Sequence, residues 1–133
     1  MSILAALMLL VPQQAEPSAA EILQGLDMTS FRNSTRPNRE PGLRRPSDWS
    51  FNELRVDDEW TSLERSTNRW TISLRIIRAT PDGVIACFND RGGDGATYSS
   101  QQTLLIVRDD LGGYRVVDEN LVDPTCQPMP GQG

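Results

Sequence analysis

Residues 69–78 read Arg-Trp-Thr-Ile-Ser-Leu-Arg-Ile-Ile-Arg, and their periodicity decides the fold. Trp70, Ile72, Leu74 and Ile76 alternate with Thr71, Ser73, Arg75 and Ile77. Period two predicts a strand with one face buried. The pattern recurs downstream. Ala79-Thr80-Pro81-Asp82-Gly83 places Pro and Asp-Gly where a turn favours them. Val84 to Asn89 reads as a second strand and residues 97–108 as a long third. Its second half, Leu104-Leu105-Ile106-Val107, is expected to be buried on both sides. Asp109 to Gly113 closes a hairpin, and Tyr114 to Asp118 returns with Tyr114 and Val116 on one face. Upstream, residues 59–65 either pair ahead of these strands through Ser66-Thr67-Asn68 or form a short helix. Every link is too short for a parallel crossover, so the sheet is an antiparallel meander of four to five strands.

Before the sheet, Ala19, Ile22, Leu23 and Leu26 have helical spacing, and Pro17 suits a first turn. The spacing predicts a helix of two to three turns within residues 16–27. Residues 28–50 hold Pro37, Pro41, Gly42 and Pro46 and little apolar content, which predicts a long loop. The fold class is therefore α+β: a short N-terminal helix packed on the meander, with the sheet domain spanning residues 51–126 and a flexible tail over 127–133. Trp49, Trp60 and Trp70, with Phe31, Phe51 and Phe88, are expected to fill the space between helix, loop and sheet.

Residues 3–11 form an uncharged apolar run of nine. A spanning helix needs about 20 such residues, whereas the core of a secretory signal needs about 7–15. Residues 1–15 thus read as a signal peptide, cut after Ala15 or after Ala20. Export makes Cys87 and Cys126, the two cysteines of the chain, a disulfide. Two thiols and no His leave no zinc site.

The chain has 133 residues, 18 acids against 13 basic residues, and a net charge of −5; every basic residue is Arg. One small domain fits this length. The absence of His removes Ser-His-Asp and Cys-His relays. No Gly-x-Ser-x-Gly elbow, phosphate loop or dinucleotide fingerprint is present, so no catalytic residue and no cofactor are assigned. Negative net charge argues against non-specific nucleic-acid binding. The charge is also uneven. Residues 28–47 carry five Arg (Arg32, Arg36, Arg39, Arg44, Arg45) against Glu40, whereas residues 16–27 carry −3 and residues 48–133 carry −6. These five guanidiniums are the candidate contact for an anionic partner. The competing use is pairing with the chain's own acidic body.

Asp90-Arg91-Gly92-Gly93-Asp94-Gly95 has the start of a calcium loop, but Gly92 and Gln101 stand where ligands are required, so a plain hairpin loop is expected. Asp57-Asp58-Glu59 reads as a solvated acidic edge, since adjacent residues cannot flank one bond. Asn33-Ser34-Thr35 matches the N-glycosylation acceptor, which matters only in a eukaryotic secretory route.

The signal-like segment at 3–15, the Phe31-Arg32-Asn33-Ser34 loop, the Val84–Asp90 strand with its Cys and the Cys126 tail together resemble small, uncharacterised exported proteins of Gram-negative bacteria. That resemblance implies a periplasmic or secreted location and no particular activity. The terminal meander also resembles cone-shaped α+β folds of the nuclear-transport-factor-2-like type. Three functions are expected in order: a non-enzymatic domain binding an envelope protein or an anionic glycan or lipid; an inhibitor of a secreted hydrolase such as a lysozyme; and a cone-fold enzyme or ligand-binding domain using Asp or Tyr.

Overall fold

The computed structural model describes residues 16–35 and 41–127. The expected signal segment 1–15, Arg36 and Arg39, and tail residues 128–133 lie outside the described residues.

Six strands form one antiparallel sheet in chain order: β1 (Phe51–Val56), β2 (Thr61–Arg65), β3 (Thr71–Thr80), β4 (Gly83–Arg91), β5 (Ser99–Arg108) and β6 (Tyr114–Leu121). The expected four to five strands are thus corrected to six. β1 is the addition. It lies at the sheet edge, buries only Phe51, and carries a bulge between Phe51 and Glu53. An edge strand is ordered by its neighbour's backbone more than by burial, so apolar periodicity barely marks it. Residues 61–65, open between strand and helix in the sequence, form β2.

The alternation in β3 sets the core. Ile72 and Leu74 are fully buried. The register aligns Leu63, Ile72 and Asp90 across β2–β4, then Thr61, Leu74, Phe88 and Gln102 across β2–β5. Leu104 and Ile106 of β5 join this core, but Leu105 and Val107 are only half-buried on the other face. The expected two-sided burial of that segment is corrected accordingly.

Helix α1 (Ala19–Gln24) is shorter than the expected 16–27. Ser18 supplies the N-cap, its Oγ accepting from Glu21 N–H at 3.1 Å, so Pro17 falls outside the helix. Gly25 closes the other end, and Leu26 leaves to form a bridge with Tyr114. A six-residue helix does not hold alone in water. Ile22 and Leu23, both fully buried on the sheet, supply the stabilisation, on the order of 1.5–3 kcal/mol each.

The segment after α1 is also folded onto the sheet. Phe31 meets Phe88 edge-to-face with centroids 4.9 Å apart. Asn33 is buried, and its Nδ2 donates to Met28 O and Phe31 O, so its amide is spent within the fold. A 3-10 helix, Pro46–Trp49, interrupts the expected loop. Asp48 accepts the Arg44 and Arg45 backbone N–H groups, which lowers its pKa. Trp49 and Trp70 pack against the core as expected. Trp60 does not; it lines the opposite face of the sheet. No described helix is long and apolar enough to cross a membrane.

Cys87 and Cys126 form the expected disulfide, with Cα atoms 5.4 Å apart. It fastens the segment after β6 to the face of the sheet opposite α1.

Candidate functional site

Successive strand residues point to opposite faces, so the face away from α1 collects the polar half of each pattern. Register aligns Arg55, Ser62, Ser73, Asn89 and Gln101 in one row across β1–β5. The Ser62 and Ser73 hydroxyls lie 2.8 Å apart, and Asn89 Nδ2 donates to Gln101 Oε1 at 3.1 Å. The neighbouring row runs Glu53, Glu64, Thr71, Arg91 and Ser99.

The loop after β4 walls these rows at one end. Gly93 packs so closely on the Asn68–Trp70 backbone that a Cβ there would overlap Asn68 O. The result is a groove of about 490 Å³ whose lining includes Arg55, Glu64, Arg69, Arg91 and the two serines. A second hollow of about 220 Å³ shares Ser62, Ser73 and Arg91 and extends to Trp60 and Gln101. At that end the Arg75 guanidinium lies 5.2 Å from the Trp60 ring centre.

The groove lining carries three Arg against Glu64 and Asp94, a net of +1 on an acidic protein. Glu64 Oε1 is 3.6 Å from Arg55 Nη2 and 3.7 Å from Arg69 Nε, so two guanidiniums share one carboxylate. Arg91 has no ion-pair partner among the described residues. Both paired Arg side chains are 64% exposed. Such pairs are weak and leave most guanidinium donors available to a ligand. Arg69 holds a left-handed backbone (φ 61°), and its N–H donates to Arg65 O at 2.9 Å, fixing the turn that carries it.

The Arg residues singled out by charge counting are placed differently. Arg45 Nη2 pairs with Asp109 Oδ2 at 2.9 Å, and its Nη1 donates to Gly25 O. Burial pushes the Asp109 carboxyl up, but the Gly113 and Leu111 amides and Arg45 outweigh this and leave it below its ordinary value. Arg44 faces Asp27 at 3.8 Å. Arg32 is exposed, while its backbone N–H donates to Glu119 and its carbonyl accepts from Gln102. Arg44 and Arg45 thus face the chain's own acids.

Asp90, read as the start of a hairpin loop, lies inside β4 and is fully buried. Its oxygens accept from Ser34 N–H, Ser34 Oγ–H and Trp70 Nε1–H. No group of three or more Cys, Asp or Glu among the described residues is placed to hold a metal ion. Asp57 of the acidic run accepts the Trp60 and Glu59 backbone N–H groups, which lowers its pKa and makes it a turn former.

The groove was not singled out from the sequence. Its one signal is the outward set Thr71, Ser73 and Arg75 in the deciding strand, which names a polar face but not its neighbours. No protein-family model, curated protein or solved structure matches the chain.

Proposed function

We propose that this chain is an exported, non-enzymatic domain that binds an anionic glycan of the cell envelope along the polar face of its sheet. One observation carries the reading: Arg55, Arg69 and Arg91 outnumber Glu64 and Asp94 in the lining of the groove beside the Ser62–Ser73–Asn89–Gln101 row. Guanidinium forks pair with carboxylate or sulfate. Hydroxyl and amide side chains match sugar hydroxyls, and Trp60 offers an aromatic surface next to them. The chemistry favours binding over turnover. The chain has no His, and the two serine hydroxyls pair with each other. The disulfide accords with an oxidising compartment.

Calorimetry with polygalacturonate, and with dextran as the neutral control, tests this. Polygalacturonate should bind, more weakly as salt rises. Arg55→Glu with Arg91→Glu should weaken it by about tenfold or more, and Arg32→Glu with Arg36→Glu and Arg39→Glu should leave it nearly unchanged. Equal binding of dextran, or full binding by the groove variant, overturns the reading. Loss confined to the second variant moves the contact to the loop.

A further inference from the structure

The two edges of the sheet are finished differently. At the β6 edge, Leu26 bridges Tyr114 and Ser30 Oγ accepts from Val116 N–H at 2.9 Å, so the segment after α1 occupies that backbone. β1 stands at the other end of the strand order, with no strand beyond it among the described residues. Every residue of β1 after Phe51 is exposed. Such an edge is a template for another strand.

The ladder determines which groups this edge offers. Asp57 N–H donates to Trp60 O, so these two form a hydrogen-bonded pair. Bonded and non-bonded pairs alternate along an antiparallel ladder. Arg55–Ser62 and Glu53–Glu64 are therefore bonded pairs, and the N–H and C=O groups of Leu54 and Val56 turn outward. The bulge lies before Glu53 and leaves residues 53–56 in regular register. Leu54 is aligned with the buried Leu63, so Leu54 and Val56 lie on the α1 face, yet they are 42% and 68% exposed. Glu53 and Arg55 lie on the polar face. Glu53 stands directly opposite Glu64, an unfavourable pairing of like charges, and has no ion-pair partner among the described residues.

We infer that β1 pairs antiparallel with β1 of a second copy of this chain, about a twofold axis at Leu54. The charge pattern names the occupant, because Glu53-Leu54-Arg55 is complementary to itself when reversed. In this register Leu54 exchanges both backbone hydrogen bonds with Leu54 of the second copy, and the two side chains meet on the α1 face. Glu53 faces Arg55 of the second copy, twice over, as an isologous contact requires. An axis at Arg55 would instead oppose two guanidiniums and set Glu53 against Asp57. An axis at Val56 would set Leu54 against Asp58. A contact of so few residues makes a weak dimer, in rapid exchange with the monomer.

Sedimentation velocity of the full chain, without glycan, from about 10 μM to about 1 mM tests this. The unaltered chain should shift from monomer toward dimer, and the Leu54 amide should gain exchange protection over the same range. Glu53→Arg and Arg55→Glu each set like charges across the axis, and each should weaken self-association by about tenfold or more. An equal mixture of the two variants should recover it, because the strand with two basic residues then faces the strand with two acidic ones. Recovery also shows that both variants are folded. A monomer at about 1 mM overturns the inference. So does association retained by both single variants, which would place the contact on another surface, or a mixture that associates no better than either variant alone. No glycan is present at any step, so failure here is distinguishable from failure of the groove reading.

Discussion

Asp90 carries no exposed surface, yet it is a carboxylate in the middle of a sheet. Burial raises its pKa, and the hydrogen bonds from Trp70 and Ser34 pull it back only in part. The folded chain therefore holds this proton more readily than the unfolded chain does. Between the ordinary value of 3.8 and the raised one, stability must fall as pH rises. Asp48, Asp57, Asp109 and Asp123 have the opposite sign. Asp123 is lowered to about 2 by the Thr125 hydroxyl, the Thr125 amide and Arg78. Their stabilisation is present above 3.8 and is lost as pH falls toward the lowered values. Asp90→Asn separates the two effects. It should cost about 1–3 kcal/mol, because one acceptor becomes an NH₂ facing a donor. It should also abolish the decline on the high-pH side of 3.8 while keeping the loss on the acid side. Urea midpoints from about pH 2 to 7 read both. The same decline in the Asp90→Asn variant would refute the assignment to this residue.

Among the elements, the link between β4 and β5 has the tightest seat. Gly93 rests on the backbone of the β2–β3 turn, and backbone cannot rotate away as a side chain can. Gly93→Ala should therefore lift this loop at a cost of about 1–3 kcal/mol, the usual range for overpacking. The amides of residues 92–96 should exchange faster, and polygalacturonate should bind more weakly, because the groove loses a wall. Gly95→Ala is the control. Its φ of +81° imposes backbone strain, but a Cβ there meets nothing within 4 Å. If both variants gave the same exchange rates, close packing at Gly93 would not be what seats the loop. Elements also differed in how much of them the sequence revealed. β3 was legible because its core is one-sided and its alternation clean. β1 was nearly silent, with Leu54 and Val56 exposed at the edge. The helical spacing runs past the end of α1 because Leu26 continues it while its backbone pairs with Tyr114. The polar row was illegible for a different reason. Ser62, Ser73, Asn89 and Gln101 become neighbours only through register, and the bulge between Ile76 and Arg78 illustrates how register can shift where residue spacing gives no sign.

For the whole molecule, charge and covalent chemistry divide the work. The sequence count located a basic segment but could not say what it faces, whereas two cysteines allow one intramolecular pairing. The segment after β6 has three other fastenings: Arg78 to Asp123 at 2.9 Å, Arg75 to Thr125 O, and Gln101 to Gln127 O at 2.8 Å. The Arg75 and Gln101 contacts are exposed and worth on the order of 0–1 kcal/mol each. Arg78 meets a buried Asp123 and is worth more, as hydrogen bonds between charged groups are. The disulfide closes a loop with a sequence separation of 39, for which chain entropy gives about 4 kcal/mol. That is a large share of a domain's usual 5–15 kcal/mol. The apolar core is assembled by α1, the 28–35 segment and the strands, and among the described residues its cluster contains none beyond Val116. Replacing both Cys87 and Cys126 by Ser should therefore lower stability by about 4 kcal/mol while leaving the sheet folded in the absence of urea. Far-ultraviolet circular dichroism should stay native-like, the amides of residues 123–127 should exchange rapidly, and the urea dependence should steepen as the unfolded chain loses its crosslink. Native protection of residues 123–127 in the double variant would show that Arg75, Arg78 and Gln101 hold the segment without the bond. Loss of the sheet signal would show instead that the disulfide is a condition of folding.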